Sequence, residues 1–352
     1  MLTTTNGIEE TLRRVARQEA GELPFLTAYL DLRPQATGEN PPIRTGEIVL
    51  RDRVREISQD MREHSPEYRS LSGDVERIHD AMEQALPEVQ AMAFVSSSGR
   101  DVFESVELPA GIADRVTCGE LPDIVPLARL ADLEPALVAL YDTNTLRLMV
   151  VRAGGVKELS GHDADPDEFG RHMAAGGALD GRVEERRAEF ARESAAVIER
   201  AIAKHAPTWL IVAADEVAHP ILREKLSKQA VGLWRETVRL DIRASWEDVL
   251  ELVGPVMERL RTEDAVVSAD ALMGEVGEND LGVAGIEDTR QALERGQGLE
   301  LLVEEQASFA EGELATLVRL AASTDMRIRF VDGHDGLRSV GGVGALLRFR
   351  ID

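Results

Sequence analysis

Short apolar, β-prone runs alternate along this chain with stretches whose apolar residues recur at helical spacing, and that alternation confines it to mixed α/β architectures. Ile8, Leu12 and Val15 mark a helix over residues 7–19, Pro24 breaks it, and residues 25–30 read as a strand. A charged helix is expected over 44–63, interrupted at Ser65-Pro66, with Asp74 able to cap a second helix reaching about residue 86. Residues 90–97 and 102–108 read as strands around a Ser98-Gly99 turn, and Pro122, Pro126 and Pro135 punctuate a linker.

Beyond the linker, 136–141 and 146–153 read as a hairpin about Asp142-Thr143-Asn144, and 156–159 adds a third strand. Residues 160–181 are polar, rich in Gly and Asp, and lack any sustained period, which predicts a long exposed loop. A long helix over 182–204, a buried strand over 208–213, a helix over 218–228 and a strand over 237–242 follow. Ser245-Trp246-Glu247-Asp248 resembles a capping box opening a helix to about residue 260. After a weakly patterned connection at 271–285, helix 288–295, strand 299–304, helix 313–322, strand 328–331, a Gly341 to Gly344 turn and strand 346–351 complete the order. The expected fold class is α/β (α+β) in three domains: an N-terminal α+β domain over 1–128, a middle α/β domain over 129–265, and a C-terminal α/β sandwich over 266–352.

Charge narrows the partners. The 352 residues carry 64 Asp and Glu against 40 Lys and Arg, a formal charge of -24, so sequence-blind binding of nucleic acid is disfavoured and any RNA contact must be local. The same surplus can serve solubility or high salt without naming a partner. Aromatic residues are 4%, which leaves few stacking platforms for bases. Cys118 is the single cysteine, excluding an internal disulfide and a cysteine-based zinc site, and a reducing cytoplasm fits. No apolar stretch has the length of a signal-peptide core or a membrane span, so neither export by that route nor a membrane is expected.

Motifs for chemistry are sparse. The glycines at 341–344 precede a strand rather than a helix, which argues a tight turn over a dinucleotide loop, and no Gly-Lys-Ser/Thr phosphate loop exists. The seven histidines form no zinc-helix pattern; His162, Asp163, Asp165, Asp167 and Glu168 lack the spacing of a calcium loop and read as a solvated acidic loop. Cys118 has no basic neighbour and no Gly-x-Ser-x-Gly elbow occurs, so catalytic residues, metal and cofactors are expected to be none. One basic constellation stands out. Gly176-Gly177 sits in the polar loop beside Arg171 and His172, ahead of a helix opening with Arg182, Arg186 and Arg187, where RNA phosphate could approach the backbone. Its plain alternative is a flexible loop before a salt-bridged helix start, and Gly154-Gly155 offers another glycine pair whose place between strand-like runs suits a hairpin turn.

Gln291-Ala292-Leu293-Glu294-Arg295-Gly296, the strand after it, and the terminal Gly341-Gly342-Val343-Gly344-Ala345-Leu346-Leu347-Arg348-Phe349 resemble the third domain of archaeal and eukaryotic class 1 release factors and Pelota. The middle domain is similar in its order of hairpin, glycine-bearing loop, long Arg/Glu helix, strand and helix, and Tyr29-Leu30-Asp31 resembles the opening of bacterial members. In release factors the loop carries Gly-Gly-Gln, whose glutamine positions water against the peptidyl-tRNA ester. Aligned on Gly176-Gly177, this chain has Ala178, whose methyl group makes no hydrogen bond, so the resemblance implies a member of the bacterial branch without peptide release. It also implies a translation factor that binds the ribosome, touching rRNA near the A site and peptidyl transferase centre, with elongation factor Tu, through the C-terminal domain, as a candidate partner and no DNA partner. Some relatives of this kind are hibernation factors that occupy the vacant A site. Ribosome rescue or peptidyl-tRNA hydrolysis, and a stress-linked protein-protein adaptor, are the alternatives.

Overall fold

The computed structural model describes residues 5–37, 40–86, 89–109, 112–142, 144–152, 155–159, 162–163, 179–214, 218–278 and 280–350. Among these residues the chain folds as two compact units, one built from 1–133 together with 262–352 and the other from 134–261.

The first unit begins with helix α1 (Thr5–Ala16), which buries Ile8, Leu12 and Val15 along one stripe. Strand β1 (Phe25–Asp31) is buried along its whole length. A short ribbon, β2 (Pro34–Thr37) with β3 (Asn40–Arg44), leads to helices α2 (Thr45–Gln59) and α3 (Pro66–Gln84). Strands β4 (Ala91–Ser97), β5 (Val102–Leu108) and β6 (Arg115–Gly119) complete an antiparallel sheet in the order β5-β4-β1-β6. Alternate residues of β1 serve opposite faces, as the pleat requires. Leu26, Ala28 and Leu30 pack with Leu50, Leu71, Ile78 and Met82 of α2 and α3, whereas Phe25 and Tyr29 face α1.

Two expectations fail in this segment. Asp74 caps nothing: α3 starts at Pro66, capped by the Ser65 hydroxyl accepting from Tyr68 N at 3.1 Å, and Asp74 lies buried mid-helix. Its Oδ1 instead accepts from Ser96 Oγ at 2.7 Å and Ser98 N at 2.5 Å, tying α3 to the β4–β5 turn. The proline-rich linker is structured as well. Helix α4 (Val125–Ala131) takes Pro126 in its first turn, where the missing N–H costs nothing, and it buries Leu127 and Ala128.

In the second unit, β7 (Ala136–Tyr141) and β8 (Thr145–Arg152) form the expected hairpin, and β9 (Gly155–Glu158) and β10 (His162–Asp163) both pair antiparallel with β8. The long helix α5 runs Leu179–His205, followed by β11 (Trp209–Ala214), α6 (Ala218–Lys225), α7 (Lys228–Leu233) and β12 (Trp234–Val238). The sheet order is β10-β8-β7-β11-β12, with β11 parallel to both its neighbours. Helix α5 covers one face through Phe190, Ala191, Ala195 and Ile198. The first half of α8 (Trp246–Glu278) covers the other through Val249, Val253 and Leu260. The capping box at Ser245 is present, with Ser245 Oγ accepting from Asp248 N and Asp248 Oδ2 accepting from Ser245 N.

Boundaries moved where local pattern misled. The last strand of this sheet is 234–238 rather than 237–242, because Trp234 anchors it and the alternation of Val238, Leu240 and Ile242 continues into a turn. The helix over 218–228 is two helices, and α8 does not end near 260. Its continuation buries Ala265, Ala269 and Leu272, a stripe of mostly small residues too weak to read as a helix.

The last segment adds β13 (Gly282–Ala284), α9 (Ile286–Glu294), β14 (Gly298–Glu304), α10 (Glu313–Ser323), β15 (Arg327–Val331), α11 (Asp335–Ser339) and β16 (Val343–Leu347). Its sheet runs β13-β16-β14-β15. The final strand starts earlier than the sequence suggests, since Val343 and Gly344 pair with Val303 and Leu302 instead of turning. The two sheets of this unit share one apolar cluster, in which Leu12 and Val15 of α1 pack with Leu317 and Val318 of α10.

Candidate functional site in the middle unit

Parallel strands with helical crossovers leave their carboxyl ends as the usual place for function. In the middle unit several features converge on that end of the sheet. Tyr141 closes β7 there, β8 starts there at Thr145, and β10 pairs with β8 through His162↔Leu146 and Asp163↔Thr145. The N-terminal half of α5 reaches the same end, because Phe190 stacks on Tyr141 with ring centroids 5.9 Å apart and planes 9° apart. Strand β10 and the middle of α5 around Phe190 therefore both lie at the carboxyl end of β7.

Arg171, His172, Gly176, Gly177 and Ala178 lie outside the described residues. Arg182 falls in the first turn of α5, and Arg186 and Arg187 lie one turn further on, both half-buried. A helix start of this kind offers backbone N–H groups and positive dipole beside the arginines, which suits phosphate better than any cation. Gly155 opens β9 opposite Arg152 of β8, where the sequence suited a hairpin turn.

At this end of the sheet lies a cleft of about 230 Å³ lined by Tyr141, Asp142, Ala213, Ala214, Leu240, Asp241 and Ile242. Its carboxylates are engaged in turns. Asp142 Oδ1 accepts from Asn144 N at 2.8 Å and Thr145 N at 2.7 Å, and Asp241 Oδ1 accepts from Arg243 N at 2.7 Å. These aspartates hold backbone in place, and among the described residues no histidine, cysteine or serine lines the cleft with them. Among the described residues no group of three or more His, Cys, Asp and Glu is placed to hold a metal ion, and no helix is long and apolar enough to cross a membrane.

Arg147 braces this end of the sheet, and the sequence reading passed over it. Its guanidinium pairs with Glu158 of β9 through Nε–Oε1 at 2.8 Å and Nη2–Oε2 at 3.1 Å, while Nη1 donates to the carbonyls of Ile242 at 2.7 Å and Ala244 at 2.9 Å. The hydrogen bond to Arg147 holds the Glu158 carboxyl below its ordinary pKa. A lone arginine inside the apolar run from Leu146 to Val151 was the signal available.

Residues 122–258, which take in almost all of this unit, match the family model described as bacterial archaeo-eukaryotic release factor family 10. A comparison with curated proteins finds no match. Among solved structures the chain is similar to the archaeal translation termination factor aRF1, at 16% identity over 99% of both chains with a TM-score of 0.29. It is similar to archaeal Pelota in a structure titled as ribosome-bound Pelota and ABCE1, at 14% identity over 99% of this chain and 96% of that one, TM-score 0.47. Dom34 of S. cerevisiae, titled a translation termination-like factor, gives 10% identity over 74% of this chain and 81% of that one, TM-score 0.45. What the comparisons establish is thus a likeness of the middle unit, over residues 122–258, to the bacterial archaeo-eukaryotic release factor family 10.

Proposed function

We propose that the protein is a ribosome-associated translation factor that occupies the A site without releasing peptide, as a hibernation factor does. The observation that carries this reading is the family match over 122–258, which supports reading the glycine-bearing loop and the α5 start as the counterparts of a release factor's working end. Ala178 supports the absence of peptide release, since an alanine there supplies neither donor nor acceptor to a water molecule. Contacts to rRNA fall to Arg171, His172, the backbone at Gly176, Gly177 and Ala178, and Arg182, Arg186 and Arg187. Elongation factor Tu, engaging the C-terminal segment, is the proposed delivery partner, and the functional parts are 1–128, 129–265 and 266–352.

The test is co-sedimentation with vacant 70S ribosomes across a salt series, with and without elongation factor Tu, scored together with competition by A-site tRNA. Saturable binding that tRNA displaces, that weakens with salt and that R182A/R186A/R187A weakens further is expected. Protein left in the supernatant at every salt concentration rejects the reading in favour of an adaptor away from the ribosome. Cleavage of peptidyl-tRNA in the same preparation moves the assignment to rescue or hydrolysis.

A further inference from the structure

The chain's basic residues are unevenly shared. Residues 134–261 hold 18 of the 40 Lys and Arg, including all four lysines, Lys157, Lys204, Lys225 and Lys228, but only 22 of the 64 Asp and Glu. The middle unit is thus close to neutral, and the strong negative charge belongs to the flanking segments.

Within that unit the bias concentrates on one border. From α6 to the turn after β12, Arg223, Lys228, Arg235, Arg239 and Arg243 are exposed. The acids among them are engaged locally: Glu224 pairs with Lys225 at 2.8 Å, Glu236 pairs with Arg259 of α8, and Asp241 accepts from the Arg243 backbone. Strand β12 is the last in its sheet, so its outer side meets no strand among the described residues. Its register against β11 shifts between Leu210↔Trp234 and Ile211↔Glu236, which leaves Arg235 as the extra residue of a bulge.

We infer that this border, Arg235, Arg239 and Arg243 flanked by Arg223 and Lys228, is a second surface for the phosphate backbone of RNA, an inference that rests on the ribosomal reading above. Charges on an edge strand also guard against edge-to-edge pairing, and one or two suffice for that. Here the charge continues past both ends of the strand, from α6 to the turn that Arg147 braces. An extended acidic peptide would have to add to β12 as a strand, and a five-residue strand with a bulge is a poor template. Base stacking is also closed off. Trp234, the aromatic residue of β12, is buried, with the Arg223 guanidinium 5.2 Å from its ring centroid and His219 edge-on at 4.8 Å. What remains is recognition of phosphate without reading of sequence.

The deciding measurement compares wild type, R235A/R239A/R243A and R235K/R239K/R243K in two salt series, one with vacant 70S ribosomes and one with a naked A-form RNA duplex. Each lost phosphate contact flattens the slope of log affinity against log salt by about 0.9 or somewhat less, so the alanine variant should flatten it by roughly 2 in both series, with the lysine variant close to wild type. A ribosome slope unchanged by the alanine variant but flattened by R182A/R186A/R187A overturns this inference and leaves the ribosomal reading standing. Ribosome binding that the alanine variant weakens, with no duplex bound by wild type at any salt, assigns the border to a protein partner and overturns it too. If wild type binds no ribosomes, the ribosomal reading fails and the duplex alone decides: salt-sensitive binding lost in the alanine variant keeps the surface, and no binding removes it.

Discussion

Arg319 of α10 donates to the carbonyl of Ala16, the last residue of α1, at 3.2 Å, joining two helices more than three hundred residues apart in sequence. The same guanidinium reaches Val15 O at 3.4 Å, Gln18 O at 3.3 Å and Pro122 O at 3.1 Å, so it gathers carbonyls at and just beyond the C-terminal end of α1 with one from the segment before α4. R319A should therefore cost about 1.5 to 3 kcal/mol, as expected for hydrogen bonds to a charged donor, and R319K should recover only part because an ammonium cannot span four carbonyls. Urea unfolding of the three proteins checks this; equal midpoints would show that the bonds are replaced by water.

Burial raises the pKa of Asp74, against the pull of its hydrogen bonds from Ser96 and Ser98. The folded chain then holds that proton more tightly than the unfolded one, so stability is fullest below the ordinary carboxylate pKa and declines as pH rises through the higher folded value. D74N keeps the Oδ1 acceptor and carries no charge. It should match or exceed wild type at pH 7 and flatten the decline above about pH 4. D74A strands the Ser96 hydroxyl and the Ser98 N–H and should cost about 1 to 3 kcal/mol at every pH.

Cys118 has its thiol pushed up to about 11 by burial and then by the Asp74 carboxylate. Labelling with a thiol reagent at pH 8 should run roughly 100-fold slower in the folded protein than in urea. Equal rates would place the thiol in a far more open setting.

Arg147 is predicted to hold the turn that frames the cleft. R147A should speed hydrogen exchange at Ala244 N, which is bonded to Asp241 O, and at Leu159 N, which is bonded to Leu148 O, while exchange in α5 stays unchanged. Uniform acceleration across the unit would make Arg147 a global rather than a local brace.

Gly344 and Gly296 separate two uses of glycine. A methyl group on Gly344 would lie 2.6 Å from Leu272 Cδ2 and 2.7 Å from Val283 O, the latter fixed by strand pairing, so G344A should cost about 3 kcal/mol. Gly296, at φ +67°, has open space around it, and G296A should cost only the left-handed penalty of about 1 to 2 kcal/mol. Thermal melts rank the two.

Elements driven by large apolar residues were legible. The strand at 25–31, the hairpin at 136–152 and the helix–strand order from 286 to 331 needed only periodicity, whereas the five-residue helix α11 was too short to show one. Elements built from small or polar residues were not: β6 reads Arg-Val-Thr-Cys-Gly, the second half of α8 packs through alanines, and α4 begins at a proline. Asp74 misled because a buried acid in a helix looks, in sequence, like a cap. At the candidate site the basic start of α5 was legible as a pattern, Arg182, Arg186 and Arg187. Arg147 and the cleft were not, since their partners are backbone carbonyls that strand pairing alone brings near.

The apolar cluster that joins Ile8 and Leu12 to Leu317, Val318 and Leu347 also sets an order of events during synthesis. During synthesis the contiguous middle unit, residues 134–261, is complete before the residues of α10 that pack on α1 exist. Strand β5 and helix α4 can cover part of α1 early, but the side that meets Leu317 and Val318 must wait, open to chaperones or to solvent, until α10 has been made. A chain truncated before residue 313 should leave that side of α1 exposed.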